Sequence, residues 1–206
     1  MSEIKSQFES LLRSRTQSFF EVQNRKILTS FEKLHQQKKL IFPGSFNPIS
    51  PAHRQMAMMA TEKTQLPLWF EISIQNVEKP PIQFPSLINR LSEDFGGHGI
   101  LISNAPTFEL KLELYRPLHF VVGADTLLRI NDLRFYDDAK HFRHVIQKLS
   151  DSQANFIVFE RRMNGERLRL RNAIQPALDE LCQFIPIENF DMPISSTEIR
   201  RQRGLE

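Results

Sequence analysis

The chain has 206 residues, of which 40% are hydrophobic and 25% are charged, a balance typical of a globular protein with one sizeable core. The single cysteine, Cys182, excludes a disulfide framework, and no stretch reaches the roughly 18 apolar residues that a membrane span requires. The formal net charge of +3 comes from dispersed basic residues, which argues against a surface for polymeric nucleic acid. We therefore predict a cytoplasmic protein that binds neither polymeric nucleic acid nor membranes and has no protein-bound metal.

The N-terminal segment contains no proline or glycine between Ser2 and His35. Its apolar residues recur at a spacing that fits an amphipathic helix. These positions are Phe8, Leu11, Leu12, Phe19, Phe20, Ile27, Leu28, Phe31 and Leu34. We predict a helical extension over residues 1–37, separate from a main domain over residues 38–206.

From residue 38 onward, short apolar runs alternate with segments of helical pattern. The predicted strands lie near residues 39–42, 68–74, 100–103, 118–123, 155–160 and 184–187. The predicted helices lie near residues 51–63, 86–94, 107–114, 139–149 and 173–181. Strands that are apolar along their whole length and alternate with helices indicate a parallel sheet covered on both faces. The predicted fold is a Rossmann-like three-layer α/β/α sandwich, in which ligands bind beyond the carboxyl ends of the strands.

The loop after the first of these strands reads GSFNPISPAH, from Gly44 to His53. Gly44 permits a sharp turn, and Ser50 is well placed to cap the next helix, with Pro51 at its first position. A stiff helix start of this kind binds anions through its backbone N–H groups, and His53 could add a side-chain donor to a phosphate. The alternative is a capped helix with a histidine at the surface.

Two later segments also follow a predicted strand or begin a helix. In VVGADTL, Gly123 allows close approach to the backbone, and the Asp125 carboxylate could accept hydrogen bonds from ribose hydroxyls or simply cap a helix. In PISSTEIRR, hydroxyl groups start a helix and a guanidinium follows one turn later, which suits a phosphate. These hydroxyl and guanidinium groups belong to Ser195, Ser196, Thr197 and Arg200.

The three segments, in this order, resemble the motifs of the nucleotidyltransferase superfamily. GSFNPISPAH is similar to its G-[ST]-F-[DN]-P and [HT]-x-G-H signature, with departures at Ser50, where His or Thr is usual, and at Ala52, where Gly is usual. VVGADTL and PISSTEIR resemble segments of the nicotinamide and nicotinate mononucleotide adenylyltransferases. The resemblance runs from about Lys38 to the last residue of the sequence and leaves the N-terminal segment unexplained.

The resemblance implies an enzyme of NAD biosynthesis that transfers AMP from ATP to nicotinamide or nicotinate mononucleotide and releases pyrophosphate. It implies that His53 and Arg200 are catalytic, and that Mg²⁺ is bound mainly through the ATP phosphates. The implied ATP-binding residues are Gly44, Ser45, Phe46, Ser50, His53, Ser195, Ser196, Thr197 and Arg200. The implied mononucleotide-binding residues are Ser45, Phe46, Lys79, Thr107, Gly123, Asp125, Tyr136 and Arg161.

Four of these positions have equally simple structural explanations. Lys79 lies in a proline-rich loop and is either a phosphate ligand or a solvated lysine. Thr107 follows a predicted strand and is either a ligand or a helix cap. Tyr136 either stacks on a pyridine ring or is a core or surface aromatic. Arg161 at the end of a strand could reach the ligands while its neighbour Arg162 points away, or the two could have the opposite roles.

Other functions also fit the sequence. An enzyme with the same chemistry but another acceptor would be a cytidylyltransferase or would resemble phosphopantetheine adenylyltransferase. A third interpretation is a catalytically decayed nucleotide-binding protein, in which Ser50 and Ala52 mark the loss of activity. The sequence leaves three points open: whether the acceptor is the amide or the acid mononucleotide, whether the nucleotide is ATP or CTP, and whether the protein is a homo-oligomer.

Overall fold

The computed structural model describes residues 1–28, 34, 36–77, 80–163, 166–167, 170, 173–186, 188, 196–202 and 204. A helix long and apolar enough to cross a membrane is not found in these ranges.

A sheet of eight strands forms the centre of the molecule, in the order β10-β7-β6-β3-β4-β5-β1-β2. Strands β3 to β7 and β10 run parallel, whereas β1 and β2 are antiparallel to their neighbours. Strands β8 and β9 form a separate antiparallel pair. The strands are β1 (Phe19–Gln23), β2 (Lys26–Leu28), β3 (Lys39–Pro43), β4 (Leu68–Ser73), β5 (Gly99–Ser103), β6 (Leu118–Gly123), β7 (Phe156–Phe159), β8 (Arg162–Met163), β9 (Glu166–Arg167) and β10 (Cys182–Ile185).

Helices cover both faces of the sheet, which confirms the predicted three-layer α/β/α sandwich. The helices are α1 (Ser2–Arg13), α2 (Pro51–Thr64), α3 (Phe84–Leu91), α4 (Phe108–Tyr115), α5 (Ala124–Asn131), α6 (Ala139–Asp151), α7 (Pro176–Asp179) and α8 (Ser196–Gln202). Helices α1, α2 and α3 contribute to one hydrophobic core cluster, and α4 to α7 contribute to a second.

Strand β3 marks the point at which the order of the parallel strands reverses. The chain continues from β3 to β4 and β5 on one side, and later to β6, β7 and β10 on the other. In a sheet of this type, the helices that follow the two central strands diverge and leave a crevice at the carboxyl ends. From the strand order, the crevice is expected beyond β3 and β6, where Gly44 and Gly123 stand.

The predicted helical extension over residues 1–37 is confirmed only for α1. Residues Phe19–Leu28 form the β1–β2 hairpin instead, and β1 pairs with the outer edge of β5. Asn24 and Arg25 have φ angles of 50° and 61°, the left-handed pair that a two-residue hairpin turn requires. The prediction of a helix was wrong here because the apolar spacing also fits a strand, and the turn residues decide between the two.

The N-terminal segment also belongs to the same core as the sheet. Ile4, Phe8 and Leu11 of α1 lie in one buried cluster with residues of β4 and β5. Asn104, directly after β5, holds the segment in place: its Oδ1 accepts from the Ser18 N–H at 2.8 Å, and its Nδ2 donates to the Thr16 carbonyl at 3.0 Å. Helix α1 and strand β1 therefore pack against the sheet.

The later elements follow the predictions closely. All six strands predicted after residue 38 are present, although β10 begins at Cys182 and residue 187 lies outside the described residues. The helix predicted over residues 173–181 is the four-residue α7. Helix α5 was not predicted, because its first turn was interpreted only as a ligand segment.

Candidate functional site

The loop after β3 is shaped by the ring of Phe46. The Gly44 N–H still donates to the Glu71 carbonyl of β4 at 2.9 Å, and the chain then turns through Phe46, whose φ angle is 41°. The Phe46 ring folds into the core, is 1% exposed, and packs against Phe42 and Phe70. A ligand can therefore meet Phe46 only through its backbone in this conformation, whereas Ser45 is exposed.

The Phe46 ring leaves no space for a side chain at position 44, which explains the glycine there. A Cβ atom built at Gly44 would lie 2.5 Å from the Phe46 ring, whereas one built at Gly123 would meet no atom of the described residues within 4 Å. We expect Gly44→Ala to lower the free energy of unfolding by about 1–3 kcal/mol through overpacking, as measured by urea denaturation. Gly123→Ala is the matched control and should leave stability nearly unchanged; equal effects of the two substitutions would contradict this account.

Helix α2 starts with a capping box between Ser50 and His53, which confirms the predicted cap. The Ser50 hydroxyl accepts from the His53 backbone N–H at 3.3 Å, and the Ser50 backbone N–H donates to His53 Nδ1 at 3.0 Å. Because Nδ1 accepts this hydrogen bond, the neutral ring carries its proton on Nε2. The cap thereby fixes both the position and the tautomer of the imidazole.

The electrostatic surroundings keep His53 neutral. Burial, followed by the positive charges of Arg54 and Arg161, lowers the pKa of His53 to about 4. At neutral pH the side chain is therefore an uncharged imidazole that can donate from Nε2. The Arg161 guanidinium lies close enough to act on this ring, although the two residues are far apart in sequence.

Helix α8 starts against the same loop. The Ser196 hydroxyl donates to the Pro48 carbonyl at 2.8 Å, and Arg200 Nη1 donates to the Asn47 carbonyl at 2.8 Å. Ser195 and the side chain of Thr197 lie outside the described residues. Two helix starts that are distant in sequence thus meet at one loop beyond β3.

The ends of β6 and β7 bring two further predicted residues together. Gly123 pairs with Phe159 in the sheet, and two residues beyond each of them, Arg161 Nη2 lies 2.9 Å from Asp125 Oδ2. The two side chains are 50% and 40% exposed, respectively. The second carboxylate oxygen, Asp125 Oδ1, is buried and has no hydrogen-bond partner in the described part of the chain.

Thr107 and Tyr136 have structural roles. The Thr107 hydroxyl accepts from the Leu110 N–H at 3.3 Å and caps α4. The Tyr136 hydroxyl donates to the Ile130 carbonyl at 2.7 Å, its ring packs edge-on against Phe142, and burial is the main cause that raises its pKa to about 12. The structure thus favours the alternatives of a cap and a packed aromatic ring. Lys79 lies outside the described residues.

A buried polar network next to the crevice was missed in the sequence. Lys111 Nζ lies 2.9 Å from Glu71 Oε2 and also donates to the Ala105 carbonyl, and the Ser103 hydroxyl donates to Glu71. The Glu71 and Lys111 side chains are 1% and 5% exposed. The network joins β4 to the loop after β5. Its signal in the sequence was the single charged residue, Glu71, within the apolar run LWFEISI.

The site is rich in donors and poor in metal ligands. Across the described ranges, no group of three His, Cys, Asp or Glu side chains could hold a metal ion. The residues that surround the crevice instead offer a neutral imidazole, two guanidinium groups and the start of α2. Such a set suits the oxygens of phosphate groups.

No protein-family model matches the sequence, and no curated protein matches it either. Among solved structures, the chain is similar to Plasmodium falciparum nicotinic acid mononucleotide adenylyltransferase complexed with APC. The TM-score is 0.48 and the sequence identity is 18%, over 80% of this chain and 83% of that chain.

Proposed function

We propose that this protein is a nucleotidyltransferase that transfers AMP from ATP to nicotinamide or nicotinate mononucleotide and releases pyrophosphate. The observation that carries the proposal is the docking of α8 on the loop after β3, through Ser196 and Arg200. This contact joins the two motifs at the point where the strand order reverses, the usual ligand crevice of a doubly wound sheet.

The start of α2 is the proposed seat for the ATP phosphates. Helix α2 has 14 residues, and its first backbone N–H groups and dipole favour negative charge. Pro51 has no N–H, the Ser50 hydroxyl accepts from the N–H of His53, and the Arg54 N–H donates to the Ser50 carbonyl. The proposed donors to a phosphate are therefore the Ala52 N–H, the His53 Nε2–H and the Arg200 guanidinium, which also donates to the Asn47 carbonyl. This arrangement supports a role in binding a polyphosphate.

The proposed reaction is an in-line displacement at the α-phosphorus of ATP. An oxygen of the acceptor 5′-phosphate forms the new bond to phosphorus, the bond from the α-phosphorus to the bridging oxygen breaks, and pyrophosphate leaves with the electron pair. The chemistry needs no protein nucleophile, since positioning and charge neutralisation supply most of the catalysis. In this proposal His53 donates to an α-phosphate oxygen as charge builds there, and Arg200 holds the departing pyrophosphate.

The hydrogen-bond donors of the site also suggest how a Mg²⁺ ion would be bound. Because the crevice offers donors rather than clustered carboxylates, we propose that Mg²⁺ is bound by phosphate oxygens and water. The ion would supply additional neutralisation of phosphate charge.

A different acceptor is the second candidate, and Tyr136 is the observation that favours it. The ring and hydroxyl of Tyr136 are both engaged in packing, so the residue proposed to stack on a pyridine ring has another role. An acceptor without that ring, such as phosphopantetheine, or a cytidylyltransferase reaction with CTP, would not need this contact.

The proposal is tested by measuring pyrophosphate release. ATP and CTP are each combined with nicotinamide mononucleotide, nicotinate mononucleotide or phosphopantetheine in the presence of Mg²⁺. We expect release with ATP and one of the two pyridine mononucleotides. Release with CTP alone, or with phosphopantetheine alone, would establish the second candidate, and no release with any pair would contradict both candidates.

A further inference from the structure

We propose that a groove at the amino ends of β6, β7 and β10 is a second ligand site, which binds a small molecule with a carboxylate at one end and an amino group at the other. The groove has a volume of about 320 Å³, a size found among small-molecule sites. This site goes beyond the proposed AMP transfer and does not depend on it.

The groove lies at the edge of the sheet opposite to the expected ATP crevice. It is lined by His119 of β6, by Asn155 just before β7, and by Gln183 of β10, all near the start of their strands. Strand β6 then runs on to Gly123, which places His119 about 13 Å from the carboxyl end at the usual rise of a strand. A ligand in the groove would therefore leave the crevice free.

His119 presents a hydrogen-bond donor to this groove. The residue is only 9% exposed, and its Nδ1 accepts from the Asn155 backbone N–H at 3.1 Å, so the neutral ring carries its proton on Nε2. Nε2 forms no hydrogen bond within the described ranges, and it is not one of the fully enclosed polar atoms. A histidine that is nine-tenths buried thus has a free N–H at the wall of the groove, where a carboxylate oxygen would satisfy it.

The charges near the two ends of the groove have opposite signs. Burial, followed by the positive charge of Lys38, lowers the pKa of His119 to about 4, so the ring is neutral and a cation lies near it. The exposed Glu180 lines the groove on the side of β10, two strands away from β6 and thus about 10 Å across the sheet. This arrangement favours a ligand carboxylate at His119 and a ligand ammonium group at Glu180.

The wall between these two ends is apolar and chemically inert. Ile157 and Leu181 line it, which suits a short methylene chain between the charged groups. The Cys182 thiol also lines the groove, but it donates to the Leu178 carbonyl, and burial, followed by the charge of Asp179, raises its pKa to about 12. The thiol is therefore not a nucleophile, and the ligand is expected to bind without a covalent bond.

The test compares 4-aminobutyrate with butyrate and n-butylamine, each of which keeps one of its two charged groups. Dissociation constants are measured by NMR titration of the protein. We expect 4-aminobutyrate to bind about five-fold more tightly than either single-charge probe, since each end adds one charged contact. Saturating ATP should not displace it. Absence of 4-aminobutyrate binding, equal binding of all three probes, or displacement by ATP would each overturn the inference.

Two substitutions assign the ends of the ligand. His119→Asn keeps an acceptor for the Asn155 N–H but removes the Nε2 donor, so it should weaken 4-aminobutyrate and butyrate and leave n-butylamine unchanged. Glu180→Gln should weaken 4-aminobutyrate and n-butylamine and leave butyrate unchanged. The reverse pattern, or no change in either variant, would contradict the proposed orientation and with it the site.

Glu62→Gln is the matched control, because Glu62 is an exposed carboxylate of α2 that does not line the groove. It should leave the binding of all three probes unchanged, and a loss equal to that of E180Q would show a general effect of charge. Thermal unfolding checks that each variant is folded. Because Glu180 is exposed, E180Q tests the site even if H119N proves unstable.

Discussion

Replacing His53 with alanine is expected to lower kcat by about two to three orders of magnitude while the fold is retained. The loss would follow from removing the donor that is proposed to face the charge developing in the transition state, since removal of one oxyanion-hole donor has an effect of this size. KM should change much less, because the proposed interaction strengthens mainly in the transition state. Steady-state pyrophosphate release with ATP and the preferred acceptor provides the measurement.

Ser50→Ala is the matched control for this substitution. It removes the capping hydroxyl, which also lies 2.9 Å from His53 Nδ1, but keeps the Ser50 backbone N–H that donates to Nδ1. Loss of the cap should cost about 1 kcal/mol of stability and little kcat. An unchanged rate in H53A, or an equal loss of rate in S50A, would exclude the proposed role of the imidazole.

The lowered pKa of His53 determines how this residue affects kcat and stability as the pH changes. With a pKa of about 4 in the folded protein, the imidazole stays neutral from pH 8 down to about pH 5, so it should not limit kcat in that range. The ordinary pKa of histidine is near 6.5. The neutral ring therefore contributes stability that is complete above pH 6.5 and is lost as the pH falls toward 4.

Replacing Lys111 with methionine is expected to lower the free energy of unfolding by about 3–5 kcal/mol. The substitution leaves the Glu71 carboxylate buried without its cation, and it also removes the donor to the Ala105 carbonyl. Chemical denaturation measures the effect. The loop after β5 should be affected first, since Lys111 joins it to the sheet.

The double variant Glu71→Gln with Lys111→Met is the control. A glutamine amide can still accept from the Ser103 hydroxyl, and no uncompensated charge remains, so most of the lost stability should return. If the double variant were as unstable as K111M alone, the loss would come from packing rather than from the buried charge.

The parallel part of the sheet could be predicted because its strands are buried on both sides. Residues such as Ile41, Phe120 and Ile157 lie within continuous apolar runs, which are typical of parallel strands. The β1–β2 hairpin could not be separated from a helix by apolar spacing alone. Its identity depends on the left-handed Asn24-Arg25 turn and on pairing with β5, which is distant in sequence.

Parts of the site could be predicted where the side chain lies at a helix start or just after a strand end that the sequence pattern identifies. Ser50 caps α2 as expected, and Asp125 and Arg161 follow adjacent strands, although their mutual ion pair was not anticipated. The Asn47 and Pro48 carbonyls that receive α8 could not be identified, because any residue has a carbonyl group. The role of Tyr136 could not be predicted either, because residue type alone does not distinguish a ring that stacks on a ligand from a ring that packs in the protein.

The contact between Ser196 and Pro48 joins residues 148 positions apart in the chain. In chain order, every strand of the large sheet precedes α8, which begins at Ser196. A chain truncated before Ser196 would keep every strand of the sheet but would lack the hydrogen bonds that Ser196 and Arg200 donate to the loop after β3. Truncation before α8 would therefore separate the assembly of the sheet from the proposed binding of phosphate groups.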